Sequence, residues 1–266
     1  MSKAKINGYE MYYELHGEDM PLVMIMGLSA NSQWWDENLI TQLSEKYKVM
    51  IFDNRGTGRS EDPGTEFTLK DLAEDTVNLM EKVGISKAYI LGISMGGMIA
   101  QHIALNFPEK VIKLILCSTY CGGSKSVPPG PDVLQKLMKP RKGRPIEEIM
   151  SEMIPLLYTE EYIANNPNNI EEAKENMIKY PISAENYQRQ GKAIFSHNTC
   201  RKLKTLSVPT LIMHGEKDIL LPPKNADILH DLIPFSQMEK FGNSGHALFS
   251  QETDAVVSRL LTFLQE

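Results

Sequence analysis

The stretch Gly92-Ile93-Ser94-Met95-Gly96-Gly97 follows the apolar run Lys87-Ala88-Tyr89-Ile90-Leu91 and leads into Met98-Ile99-Ala100-Gln101-His102-Ile103-Ala104-Leu105. A strand that turns sharply into a helix, with serine at its apex and glycines flanking it, has the geometry of a nucleophile elbow. The apex backbone crowds its neighbours, so the positions two before and two after must be small, and Gly92 and Gly96 meet that demand. The pattern alone arises by chance in roughly one in ten chains of this length. A Gly-rich turn with Ser94 as a helix cap is the plainer alternative. Context has to decide between them.

Outward from the elbow, strand-like runs alternate with helix-like segments. Pro21-Leu22-Val23-Met24-Ile25-Met26, Val49-Met50-Ile51-Phe52, residues 111–118 and residues 209–213 are continuous apolar runs. Unalternating runs are expected of strands buried on both faces, and their spacing demands crossover helices. Residues 69–83 place Leu69, Leu72, Ala73, Val77, Leu79, Met80 and Val83 mostly on one helical face. The expected core is a doubly wound, mostly parallel α/β sheet. Residues 6–16 and 237–241 are candidates for edge strands.

Residues 122–204 break this rhythm, opening with Pro128-Pro129-Gly130-Pro131 and then carrying only helical patterns. Ile146, Ile149, Met150, Met153, Ile154 and Leu157 form a one-sided stripe, with Pro155 expected to kink or restart the helix. The chain therefore divides into a core, residues 1–121 and 205–266, and a helical cap, residues 122–204. Met138, Met150, Met153 and Met177 read as core-facing, with a Met-lined substrate wall as the alternative.

With 42% hydrophobic and 23% charged residues the composition is that of an ordinary globular domain. A net charge of −6 argues against a nucleic-acid surface. The densest basic run, Lys139-Pro140-Arg141-Lys142-Gly143-Arg144, reads as a solvated loop. No signal-peptide core opens the chain, and no apolar stretch approaches the ~18 residues that span a bilayer. Cys117, Cys121 and Cys200 show neither metal-ligand spacing nor a disulfide framework, so a reducing, cytoplasmic setting is the expectation.

Ligands of an open α/β sheet bind beyond the carboxyl ends of its strands. Asp218 follows the run 209–213 and His246 follows residues 237–241, giving the chain order Ser94, Asp218, His246. His102 lies eight residues beyond Ser94 on the helix, about 12 Å down its axis, and cannot serve as base. His16, His197 and His230 are not at strand ends, and His214 reads as structural. Cys117-Ser118-Thr119-Tyr120 offers no competing carboxylate. The backbone amides of Met95 and of Leu28, in the loop Met26-Gly27-Leu28, are the expected oxyanion donors. Trp34 and Trp35, near that loop, read as packing residues, with pocket lining as the alternative. Asp53-Asn54-Arg55-Gly56-Thr57-Gly58-Arg59-Ser60 fails both phosphate-loop fingerprints and reads as a structural turn at the sheet edge. No metal-ligand pattern and no cofactor motif are present.

Asp53-x-Arg55-Gly56-x-Gly58-x-Ser60, Gly92-x-Ser94-x-Gly96-Gly97, His214-Gly215-x-x-Asp218 and Gly245-His246 together resemble the α/β-hydrolase superfamily. Met26-Gly27-Leu28, Phe52-Asp53-Asn54-Arg55 and the segment 94–101 are most similar to its capped carboxylesterases, including aclacinomycin methylesterase-like and 3-oxoadipate enol-lactonase-like groups. Many relatives have His-Gly where this chain has Met26-Gly27, which blurs the subfamily. The elbow serine sets the chain apart from relatives with Asp or Cys there, and Ala247 from C–C hydrolases with Trp after the histidine. The resemblance implies a carboxylesterase-type serine hydrolase acting on a small-molecule ester, lactone or thioester without cofactor, nucleic acid or membrane partner. Its alternatives are a cofactor-free perhydrolase or haloperoxidase with the same triad, and a non-catalytic receptor on the scaffold. Substrate identity and oligomeric state, a homodimer among the options, stay open.

Overall fold

The computed structural model describes residues 2–266. Among them, eight strands form one sheet: β1 (Ser2–Ile6), β2 (Tyr9–His16), β3 (Pro21–Ile25), β4 (Lys48–Phe52), β5 (Ala88–Ile93), β6 (Val111–Cys117), β7 (Thr210–Gly215) and β8 (Ser236–Phe241). Their order across the sheet is β1-β2-β4-β3-β5-β6-β7-β8. β1 and β2 form an antiparallel hairpin, β2 runs antiparallel to β4, and the remaining neighbours are parallel. The expected edge segments thus become a hairpin at one margin and β8 at the other.

The apolar runs are continuous because alternate side chains enter different helical layers. Leu22 and Met24 of β3, Ile115 of β6 and Leu211 of β7 pack with Leu39 and Leu43 of α1 (Glu37–Ser44) and Leu260 and Phe263 of α11 (Thr253–Gln265). Val23 and Ile25, Leu114 and Leu116, and Ile212 pack on the opposite face. They meet α2 (Leu69–Lys82), α3 (Met95–Asn106) and α9 (Lys224–Leu232) there. A fully buried aliphatic side chain contributes roughly 1.5–3 kcal/mol, so a strand covered on both faces tolerates few polar residues. Local chemistry sets the helix starts. The Asp36 side chain accepts the Leu39 amide at 3.0 Å, and Thr68 with Asp71 forms a reciprocal capping box on α2.

Between β6 and β7 the chain leaves the sheet for α4 (Pro131–Met138), α5 (Ile146–Leu157), α6 (Glu160–Asn165), α7 (Pro167–Lys179) and α8 (Ala184–Phe195). The α5 stripe supplies a small core of its own with Ile170, Met177 and Leu220. α5 runs through Pro155 in its last turn without a restart, although the ring removes the amide donor that would reach the preceding turn. The short α10 (Leu248–Gln251) follows β8.

A second correction concerns the cysteines. Cys121 and Cys200 are joined by a disulfide across 79 residues, while Cys117 is free and buried. They stand at the two ends of the helical excursion, which the return to β7 brings together, so sequence spacing gave no sign of the pair. The bond removes the cysteine argument for a reducing setting. Among the described residues no helix is long and apolar enough to cross a membrane.

Alkylation of the unfolded, non-reduced chain is expected to label Cys117 alone, read by mass spectrometry. Three labelled cysteines would refute the disulfide. Replacing Cys200 with serine is expected to lower the unfolding free energy by about 2–4 kcal/mol in a denaturant titration, since the bond closes a long loop.

Candidate active site

Ser94 adopts φ 57° and ψ −120°, a conformation that a non-glycine residue holds only under constraint. The constraint is close contact on all sides. A Cβ on Gly92 would meet the Gly96 carbonyl oxygen at 2.1 Å, and one on Gly96 would meet the Ile25 carbonyl oxygen at 2.0 Å. A Cβ on Gly97 would strike the Thr119 side chain at 2.7 Å. The Ser94 amide donates to the Cys117 carbonyl at 2.9 Å, and Thr119 Oγ1 donates to the Ser94 carbonyl at 2.8 Å. No side-chain cap bond joins Ser94 to α3, so the capping alternative fails.

β3 is flanked by β4 on one side and β5 on the other, which makes the β3–β5 border the point where strand order reverses. The loops after these two strands therefore open into one crevice. A Cβ on Gly27 would stand 3.0 Å from Ser94 Cβ, so the loop carrying Leu28 lies directly against the elbow. Met95 opens α3, and its amide has no acceptor within the helix. Leu28 lines the same cavity as Ser94.

Asp218 and His246 meet from two other loops. His246 Nδ1 lies 2.8 Å from Asp218 Oδ2, and both residues are buried. Asp218 Oδ1 accepts the Leu220 and Leu221 amides, each at 2.8 Å. Burial alone would raise the Asp218 pKa, but His246, His214 and their hydrogen bonds outweigh it and hold the carboxyl at about 2. The aspartate is therefore ionised at any ordinary pH. Gly215 brings the two loops together, because a Cβ there would meet the Gly245 carbonyl oxygen at 2.2 Å. Ser118 Oγ donates to the His246 carbonyl at 3.0 Å.

His214 takes a larger part than its place in the sequence suggested. Its Nε2 donates to the Leu221 carbonyl at 2.8 Å and stands 3.2 Å from Asp218 Oδ2, fixing the turn that presents the carboxylate. The turn after β4 likewise braces the Leu28 loop. Asp53 is fully buried and accepts from the Ser32 amide at 2.7 Å, the Ser32 hydroxyl at 2.6 Å and the Arg59 amide at 2.8 Å. From the helical excursion, Gln190 Oε1 accepts the Ser29 amide at 2.8 Å. A sequence signal existed for Asp53 in its Gly-rich run, whereas Gln190 carries none.

Ser94, Leu28 and His246 line one cavity of about 230 Å³. Trp34, Trp35, Met153, Met177 and Leu220 supply much of its wall, so both tryptophans and two of the four methionines face it. Met150 lines a neighbouring cavity and Met138 is 71% exposed. Asp36, Glu37 and Glu172 also line the Ser94 cavity, with no lysine or arginine among its lining residues. Among the described residues no cluster of three metal-ligating side chains occurs.

Residues 20–145 match the family model described as the alpha/beta hydrolase fold. Over 262 residues the chain is 23% identical to the "Putative carbamate hydrolase RutD" of Azorhizobium caulinodans, covering 97% of this chain and 96% of that protein. The enol-lactonase from Burkholderia xenovorans superposes with a TM-score of 0.87 at 24% identity, over 100% of each chain. A thermophilic esterase from Thermogutta terrifontis gives 0.86 at 25% identity, over 100% of this chain and 98% of that one.

Buried His197 pairs with half-buried His102, and neither lines the cavity. His197 Nδ1 lies 3.3 Å from His102 Nε2. Burial pushes His102 down to about 4 and His197 down to about 3, with nearby Lys202 and Lys70 adding to the first and His102 to the second. Both stay neutral in the fold while the unfolded chain takes up protons below about 6.5. Their contribution is complete above that pH and is lost as pH falls toward 4. Unfolding free energy is expected to drop between pH 6.5 and 4.5 by on the order of 2 kcal/mol, and His102→Gln is expected to flatten that slope. Equal slopes in urea titrations of parent and variant would assign the loss elsewhere.

Proposed function

The chain belongs to the α/β-hydrolase superfamily, and we propose that within it this protein is a serine hydrolase cleaving carboxylic esters through an acyl-enzyme. One observation carries the reading. The strained elbow serine, Ser94, lines the same cavity as His246, whose far ring nitrogen is held by the buried Asp218 carboxylate.

In this mechanism Nε2 of His246 takes the Ser94 proton as Oγ attacks the ester carbonyl. Asp218 fixes the tautomer by accepting a hydrogen bond from Nδ1–H and stabilises the imidazolium that forms. The Leu28 and Met95 amides receive the developing oxyanion, the second at the positive end of α3. His246 then protonates the departing alkoxide, and water repeats the sequence on the acyl group. Esterase and enol-lactonase neighbours support a carbonyl-directed reaction on this scaffold. A lactone or thioester fits the same steps.

The helices α4–α8 act as a cap over the serine. They supply Met153, Leu157 and Met177 to the cavity, and the Leu157 carbonyl accepts the Ala247 amide at 2.9 Å, next to the base. The apolar wall suits a short acyl chain or small alcohol. Three carboxylates with no facing lysine or arginine disfavour esters that carry a second, anionic carboxylate.

Ser94→Ala is expected to fold normally and lose ester turnover by several orders of magnitude, about 10⁶ in the best-studied precedent. Asp218→Asn is expected to lose about 10⁴. An organophosphonate should label Ser94 and no other residue, read by peptide mass spectrometry. Undiminished p-nitrophenyl ester turnover by Ser94→Ala would end the assignment. Among substrates, a neutral methyl alkanoate should be hydrolysed faster than the length-matched monomethyl ester of a dicarboxylic acid.

A further inference from the structure

A second cavity, also about 230 Å³, lies beside the catalytic one and shares Trp34, Met153 and Met177 with it. Ile146, Ile149, Met150 and Ile182 make the rest of its wall largely apolar. Its charged members, Arg141 and Arg144, come from the basic run that read as a solvated loop. That expectation holds for Lys142, whose side chain is 83% exposed, and fails for the two arginines. Arg144 is only 14% exposed, and the guanidinium of the half-buried Arg141 lies 3.5 Å from the centre of the Tyr187 ring.

Both arginines keep unused donors. Arg144 reaches Glu148 at 2.8 Å and Glu152 at 2.7 Å through one terminal nitrogen, leaving Nε buried without an acceptor. Among the described residues, no carboxylate stands within ion-pair distance of Arg141. Burial lowers its pKa and the Tyr187 phenol only partly offsets that, yet a guanidinium keeps its proton at any working pH. Glu148 and Glu152 also take Lys139, so Lys139 and Arg144 balance the two carboxylates and the charge of Arg141 stays uncompensated. A half-buried guanidinium fork without a carboxylate partner, at a largely apolar cavity, is complementary to a planar monoanion with a hydrocarbon tail.

We propose that this cavity binds a short aliphatic carboxylate, with its head on Arg141 and its tail against Ile149, Met150 and Ile182. The single uncompensated charge matches a monoanion, and the apolar wall favours an alkyl chain over water. The acid released by ester hydrolysis belongs to this class. The adjoining catalytic cavity, lined by Asp36, Glu37 and Glu172, repels the same anion. Binding requires neither Ser94 nor turnover, so it stands or falls separately from the catalytic reading.

Trp34 faces both cavities and is one of two tryptophans in the chain, so its fluorescence reports occupancy. Hexanoate titrated into the full-length protein should give saturable one-to-one binding, confirmed by calorimetry. Arg141→Gln is expected to weaken it by about tenfold or more, the scale of a lost charge-assisted bond, with ester turnover within about twofold of the parent. Ala184→Leu, which narrows the cavity from the first turn of α8 without altering charge, should weaken it as well. Protein labelled at Ser94 by an organophosphonate should bind hexanoate unchanged. Equal affinity for hexanamide or inorganic phosphate would overturn the proposal, as would undiminished hexanoate binding by both variants or loss of binding on labelling.

Discussion

Contact between two turns that leave no room for a side chain fixes the geometry on which the rest of the site depends. The Cα of Gly96 lies so close to the end of β3 that a methyl group would overlap the Ile25 carbonyl, and a methyl group on Gly27 would stand 3.0 Å from Ser94 Cβ. Backbone strain at Ser94 persists because parallel pairing of β5 with β3 and β6 holds both ends of the turn. Once those strands are in register, the serine and the Leu28 amide have little freedom to separate. Their relative position is a property of the sheet rather than of either loop.

Electrostatics organises the other half of the site. A carboxylate as buried as Asp218 is tolerated only because two backbone amides, His246 and His214 surround it. The same bonds orient the His246 ring, so the feature that stabilises the charge also aims the proposed base. The inserted helices touch both halves. Gln190 of α8 holds the Ser29 amide, and the carbonyl of Leu157, the last residue of α5, holds the Ala247 amide. A rearrangement of these helices would reach the Leu28 loop and the His246 loop together, and the Cys121–Cys200 bond ties the base of the insertion against such movement.

Much of this was legible in the chain because it rests on local rules. Unalternating apolar runs gave the buried strands, one-faced periodicity gave α2 and α5, and glycine spacing gave the elbow. The strand-end rule selected Asp218 and His246 from among the acids and histidines, and the fold brings those two within hydrogen-bond distance. At Pro155 the helix continues for two further residues, so the loss of one amide donor there did not make the chain restart.

The sequence by itself determined the sheet, the elbow and the order in which candidate groups arrive, since each depends on residues within a few positions of one another. Only the tertiary structure decided which distant groups share a charge, a bond or a cavity. Cys121 finds Cys200 across 79 residues, His214 braces Asp218, Asp53 holds Ser32, and a basic loop folds Arg141 onto Tyr187. Those pairings depend on how the helical excursion leaves the sheet and returns to it. No local propensity encodes that path; the burial of two apolar faces and a small third core selects it.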